Sequence, residues 1–93
     1  AGTVPAEFGL AQNYPNPFNP STRISFDLPV ASKVRLEVYN LLGQLVAAPV
    51  AGETMDAGRH TAAFDAGNLP SGVYLYRIQA GAFTAMKKMV LVK

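Results

Sequence analysis

Apolar and polar residues alternate one for one in several segments of this chain, and that period of two constrains the fold more than any other feature. Side chains of an extended strand point to opposite faces in turn, so strict alternation marks a strand with one face buried and one in water. Over residues 22–28, Ile24, Phe26 and Leu28 alternate with Arg23, Ser25 and Asp27. Over residues 33–39, Val34, Leu36 and Val38 alternate with Lys33, Arg35, Glu37 and Tyr39, the cleanest run in the chain, and this predicts a central strand. Residues 59–65 place His60, Ala62 and Phe64 on one face and Thr61 and Ala63 on the other. The helical period of 3.6 does not occur, so the expected class is all-β.

The segments between these runs carry turn chemistry. Pro29 ends the second predicted strand, and Asn40, Leu41, Leu42 and Gly43 form a tight reversal, with Asn at the first position and Gly able to take a positive φ. Residues 44–48 return as the partner strand, and residues 49–58, with their Pro, Gly and acidic content, read as a loop or edge segment. Gly67, Asn68, Pro70, Ser71 and Gly72 make a dense turn ahead of a strand over residues 73–80. A last strand spans residues 83–92, where the successive Lys87 and Lys88 suggest a bulge or a switch of face. With a short opening strand over residues 8–12 there are about seven strands, which predicts an antiparallel β-sandwich. Alternation assigns the core to Ile24, Phe26, Leu28, Val34, Leu36, Val38, Val46, Phe64, Leu69, Tyr74, Tyr76 and Ile78, with Met89 and Leu91, or Val90 and Val92 if the register shifts, completing it.

The chain has 93 residues, enough for one core, and by area scaling it buries close to two-thirds of its unfolded surface. A second domain does not fit. There is no Cys, which excludes a disulfide framework, a thiolate nucleophile and a thiolate metal site. No apolar run approaches the ~20 residues of a membrane-spanning helix. The net charge of +2 is too small to argue for nucleic-acid binding. Its distribution says more: every Asp and Glu lies at or before Asp65, whereas Arg77, Lys87, Lys88 and Lys93 follow it. His60 is the single His and stands without companion ligands, the serines lack the context of a nucleophile, and the glycines lack phosphate-loop spacing. Asp56, Asp65 and Asn68 lack the alternating spacing of a Ca²⁺ loop and read as turn residues. The sequence thus points to no catalytic residue, no metal and no cofactor.

Two stretches are more specific. Leu69, Pro70, Gly72 and then Tyr74, Tyr76 and Ile78 resemble the turn before the penultimate strand of immunoglobulin-like and fibronectin type III domains, which makes Tyr74 the candidate tyrosine corner. Residues 12–22, Gln-Asn-Tyr-Pro-Asn-Pro-Phe-Asn-Pro-Ser-Thr, hold Pro15, Pro17 and Pro20, a stiff polyproline-like or turn-rich lead-in to the first core strand. This run, with residues 38–46 (Val-Tyr-Asn-Leu-Leu-Gly-Gln-Leu-Val), 57–64, 69–77 and 86–93, resembles the type A C-terminal sorting domain of type IX secretion cargo proteins across about residues 8–93. The immunoglobulin-like domain of flagellar hook-capping proteins is similar in strand pattern and in Gly-Val-Tyr.

The resemblance implies an immunoglobulin-like sandwich at the tail of a larger exported protein. It further implies recognition by the outer-membrane translocon, cleavage by a sortase-like peptidase, and release or attachment at the cell surface after passage through the periplasm. On this reading residues 1–7 are a linker and residues 8–93 the sorting domain. The motif positions are Asn16, Pro17, Asn19, Pro20, Gly43, Gly72 and Tyr74, and Lys87, Lys88 and Lys93 are candidate translocon contacts, with protection of an edge strand as the competing role for the lysines. The rival reading is a carbohydrate-binding or spacer module of a secreted hydrolase, in which Tyr14, Phe18 and Tyr39 are the outward aromatics that could meet a glycan.

Overall fold

The computed structural model describes residues 4–93, so the first three residues of the expected linker lie outside the described residues. Seven strands run antiparallel: β1 (Gly9–Leu10), β2 (Ser21–Leu28), β3 (Ser32–Tyr39), β4 (Leu45–Met55), β5 (Gly58–Asp65), β6 (Gly72–Ala80) and β7 (Phe83–Leu91). They form a three-stranded sheet in the order β1-β2-β5 and a four-stranded sheet in the order β4-β3-β6-β7. In immunoglobulin constant-type sandwiches the fourth strand joins the sheet of the first, second and fifth. Here the tight turn after β3 returns the chain directly alongside it, so β4 extends the other sheet.

The alternating residues meet between the sheets. Ile24, Phe26 and Leu28 of β2 and Phe64 of β5 face Val34, Leu36 and Val38 of β3 and Tyr74, Tyr76 and Ile78 of β6, all of them buried. Met89 and Leu91 complete the core from β7, so the odd-numbered register is the one adopted. Val46 and Leu69, expected in the core, are half-buried at its margin because they lie where the two sheets part beside β4 and β5. Phe18, Val50, Ala66 and Ala80 join the buried set from positions that alternation did not assign.

Two strands differ from the sequence reading for identifiable reasons. Residues 49–55 belong to β4 rather than to a loop, because the strand lies at a sheet edge and absorbs its irregular residues in three register shifts against β3. Pro49 falls at one shift, where its missing N–H costs no ladder bond, and Gly52, at φ +93°, is the extra residue of another. In β7 the expected bulge at Lys87 and Lys88 is absent: pairing with β6 is unbroken from Gly72 opposite Leu91 to Ala80 opposite Phe83. Lys87 therefore lies on the inward-facing side with Met89, half-buried, while Lys88 faces solvent.

The chain enters at one pole and shows most of its motif residues at the other. Phe8 stacks on Phe83 beside the β6–β7 hairpin, with ring centroids 5.2 Å apart. From there residues 9–20 run the length of the sandwich to the opposite pole, where β2 begins.

Candidate recognition surface

The proline-rich segment is bends and isolated bridges rather than a continuous extended rod, and it is fastened to the edge of β7. Gln12 Nε2 donates to the Lys88 carbonyl at 2.7 Å. The Val90 N–H donates to Asn16 Oδ1 at 3.0 Å. Phe18 N–H donates to the Val90 carbonyl at 2.9 Å and its carbonyl accepts from Val92 N–H at 3.0 Å. These bonds satisfy the outward-facing backbone groups of the last part of the strand, which would otherwise be an open template for another chain. Phe18, expected to point outward, is 2% exposed and packs against Phe64 with centroids 6.2 Å apart, because the bridge to Leu91 turns its ring into the sandwich.

A buried polar cluster anchors the segment from beneath. Asn13 is 2% exposed, and its Nδ2 donates to Thr22 Oγ1 and to the Pro15 carbonyl. The Thr22 hydroxyl donates to the same carbonyl at 2.8 Å. Tyr76 reaches across from the facing sheet: its hydroxyl donates to the Ala11 carbonyl at 2.7 Å and accepts from the Asn13 N–H at 2.8 Å. Burial pushes that hydroxyl's pKa up to about 12. Thr22 was legible in the sequence as the next inward position before Ile24, but Asn13 and the bridging role of Tyr76 carried no periodic signal.

At the pole, three chain reversals and the C-terminal residues come together. The first is the turn Asn40 to Gly43, where Gly43 takes φ +80°, a conformation that suits a residue without Cβ. Asn40 locks it: its Oδ1 accepts from the N–H groups of Leu42 and Gln44, and its Nδ2 donates to Gln44 Oε1. This fixed turn displays Leu41 and Leu42 at 68% and 83% exposure. The second reversal, residues 66–71, is tied to the start of β2 by Ala66 N–H donating to the Pro20 carbonyl, and is closed by the Tyr74 hydroxyl donating to the Pro70 carbonyl at 2.6 Å. The third is the bend through Asn19 and Pro20 into β2, both residues exposed. Lys93 closes the pole, its Nζ donating to the Gly67 carbonyl and its backbone N–H to Ser71 Oγ.

The expected site residues therefore divide. Asn19, Pro20, Gly43, Gly72, Tyr74 and Lys93 gather at the pole, and Asn16 and Pro17 lie just short of it along the edge of β7. Lys87 and Lys88 lie midway along that strand on opposite faces, so the three lysines do not form one patch. Lys88 instead shares the outer face of the four-stranded sheet with Lys33, Arg35 and Arg77. At its centre Glu37, 8% exposed, lies 3.6 Å from Arg35 and 3.8 Å from Arg77, and accepts from the Tyr39 hydroxyl at 2.6 Å. That bond holds the Tyr39 pKa above its ordinary value.

Of the three aromatics considered for a glycan platform, only Tyr14 stands free, at 80% exposure; Phe18 is buried and Tyr39 is engaged with Glu37. His60 stacks on Phe26 and its Nε2 lies 2.7 Å from the Asp56 carbonyl, while Asp65 accepts from the Gly67 N–H. Among the described residues no group of three or more His, Asp or Glu side chains converges as a metal site, and no helix is long and apolar enough to cross a membrane. What this surface offers is a shaped, mainly uncharged pole.

Residues 12–93 match the secretion system C-terminal sorting domain family. The match begins at Gln12, which is hydrogen-bonded to β7, and runs through Lys93. No curated protein matches the chain.

Proposed function

The chain belongs to the secretion system C-terminal sorting domain family, and from this premise we propose that it directs a larger cargo protein through the outer-membrane type IX translocon, which reads the motif-bearing pole. The observation that carries the reading is the separation of the two ends of the sandwich. Cargo joined ahead of Phe8 enters at the β6–β7 hairpin, and the reversals 40–43 and 66–71 with Lys93 lie at the far pole, clear of it. Most motif residues at that pole have a task within the fold. Leu41 and Leu42 do not: they are held in place by Asn40 and left bare, so the burial they lack is supplied by the receptor.

The proposal keeps the module non-catalytic, with residues 8–93 as the sorting domain and residues 1–7 as the linker in which a sortase-like peptidase cuts. A cut ahead of Phe8 leaves every strand and every anchoring bond of the sandwich intact. The cargo reaches the translocon by way of the periplasm with the domain attached, and after the cut it is released or held at the cell surface. Folding and recognition are tested together with a secreted reporter fused ahead of the chain in a host carrying the translocon. Deleting residues 86–93 removes Met89 and Leu91 from the core and should abolish fold and export together. Leu41→Ser with Leu42→Ser should leave the thermal midpoint within a few degrees and cut secretion. Lys87→Ala with Lys88→Ala separates the lysine roles, lowering secretion only if the translocon reads β7 as well. Full export of the folded double-leucine variant would remove the pole from the recognition site.

A further inference from the structure

A β-sandwich has exposed sheet edges, and each is a row of N–H and C=O groups able to pair with another strand unless something obstructs it. Three of the four edges here are obstructed. β1 has only two residues. β4 is broken by three register shifts, by Pro49 and by Gly52. β7 is covered over its last part by residues 12–18 and turns Lys87 inward on the remainder.

The fourth edge, β5, has none of these devices. Its eight residues, Gly-Arg-His-Thr-Ala-Ala-Phe-Asp, contain no Pro and no Lys, and they pair with β2 in unbroken register. Because the Ala66 N–H points to Pro20 at the end of β2, the even-numbered residues of β5 face β2 and the odd-numbered ones direct their backbone groups outward. The open row is thus Arg59, Thr61, Ala63 and Asp65. No strand pairs with it among the described residues.

We infer that this edge pairs with the same edge of a second copy of the chain, joining two three-stranded sheets into one of six strands. The inference does not rest on the sorting function. Its ground is self-complementarity: with a two-fold axis at Ala62, Arg59 of each copy stands opposite Asp65 of the other, and Thr61 opposite Ala63. Each of these four residues then directs its backbone groups at its partner, and the centre carries only the small side chains of Thr61, Ala62 and Ala63. The flanking charges retain unused capacity. Arg59 binds Asp27 through Nε at 2.8 Å and Nη2 at 3.2 Å, leaving Nη1, and Asp65 uses Oδ1 for Gly67, leaving Oδ2.

Sedimentation equilibrium of the chain should show a reversible monomer–dimer equilibrium. Ala63→Pro removes an N–H that β2 does not use, and Ala63→Lys places a charge on the edge. Each should weaken association at least about tenfold while circular dichroism and the thermal midpoint show a folded domain. Since the chain has no Cys, a single introduced thiol can form only an intermolecular disulfide. Ala62→Cys, which meets its own copy across a non-hydrogen-bonded pair about 4.5 Å apart at Cα, should oxidise to a dimer faster than Thr61→Cys, which faces Ala63. A chain that stays monomeric up to about 1 mM, a dimer of undiminished affinity in folded Ala63→Lys, or equal rates for the two cysteine variants would overturn the inference.

Discussion

Replacing Tyr76 by Phe deletes one oxygen atom and tests whether the proline-rich segment is locked to the facing sheet. The ring stays in the core, so the perturbation is confined to two hydrogen bonds, to the Ala11 carbonyl at 2.7 Å and from the Asn13 N–H at 2.8 Å. The Asn13 side is buried, and a buried donor left without a partner costs about 1–3 kcal/mol. Ala11 is exposed, so water replaces much of what its carbonyl loses, for about 0.5–1 kcal/mol. The expected loss is about 1.5–4 kcal/mol, a large share of the roughly 5–14 kcal/mol that holds a domain of this length. With an unfolding entropy of about 2.1 cal/mol/K per residue, that loss lowers the thermal midpoint by about 8–20 °C. The variant carries a second signature in pH. The wild-type hydroxyl ionises near pH 12 when folded against 10.0 when exposed, so the unfolded chain gives up its proton first. This contribution to stability is fully present below about pH 10 and is lost as pH rises toward about 12, and the Phe variant lacks that alkaline slope. Thermal melts across pH, with amide exchange at Asn13 and Val90, measure both. A midpoint drop of less than about 5 °C, or an unchanged alkaline slope in the variant, would refute the clamp.

Leu36→Ala, at a side chain with no exposure, should cost about 2–5 kcal/mol by transfer and cavity formation, and an unchanged midpoint would contradict the placement of β3 at the centre of its sheet. Asn40→Ala removes three hydrogen bonds from an exposed turn and should cost about 1–2 kcal/mol in denaturant melts, with the Leu42 and Gln44 amide exchange rising first. Asn13→Leu removes the polar cluster's centre and should release residues 12–18 from β7, seen as faster exchange at Val90 and Val92 with β3 and β6 still protected. Chelation by EDTA should leave the midpoint where it was, since Asp65 already spends an oxygen on its own turn, and a fall reversed by Ca²⁺ would show a site in the loops at Asp56, Asp65 and Asn68.

The period of two determined a great deal without any coordinates. Ile24, Phe26 and Leu28, Val34, Leu36 and Val38, and Tyr74, Tyr76 and Ile78 could be assigned to the interior because side-chain direction along a strand is a local property, fixed once the backbone is extended. The turn at Asn40 to Gly43 and the stop before Tyr74 were legible for the same reason, since turn chemistry acts within four residues. Neighbourhood across the chain was not local, and there the sequence was silent or misleading. That Phe18 turns inward depends on bonds to Val90 and Val92, more than seventy positions away. Lys87 and Lys88 look like one basic patch in the sequence, yet an unbroken register with β6 sends them to opposite faces. Pro49 reads as a break until its strand is seen at an edge, where a missing N–H leaves no partner unsatisfied. Only the closed sandwich decided which edges remain open and which residues share a pole, because both depend on pairing between segments whose separation no local pattern encodes.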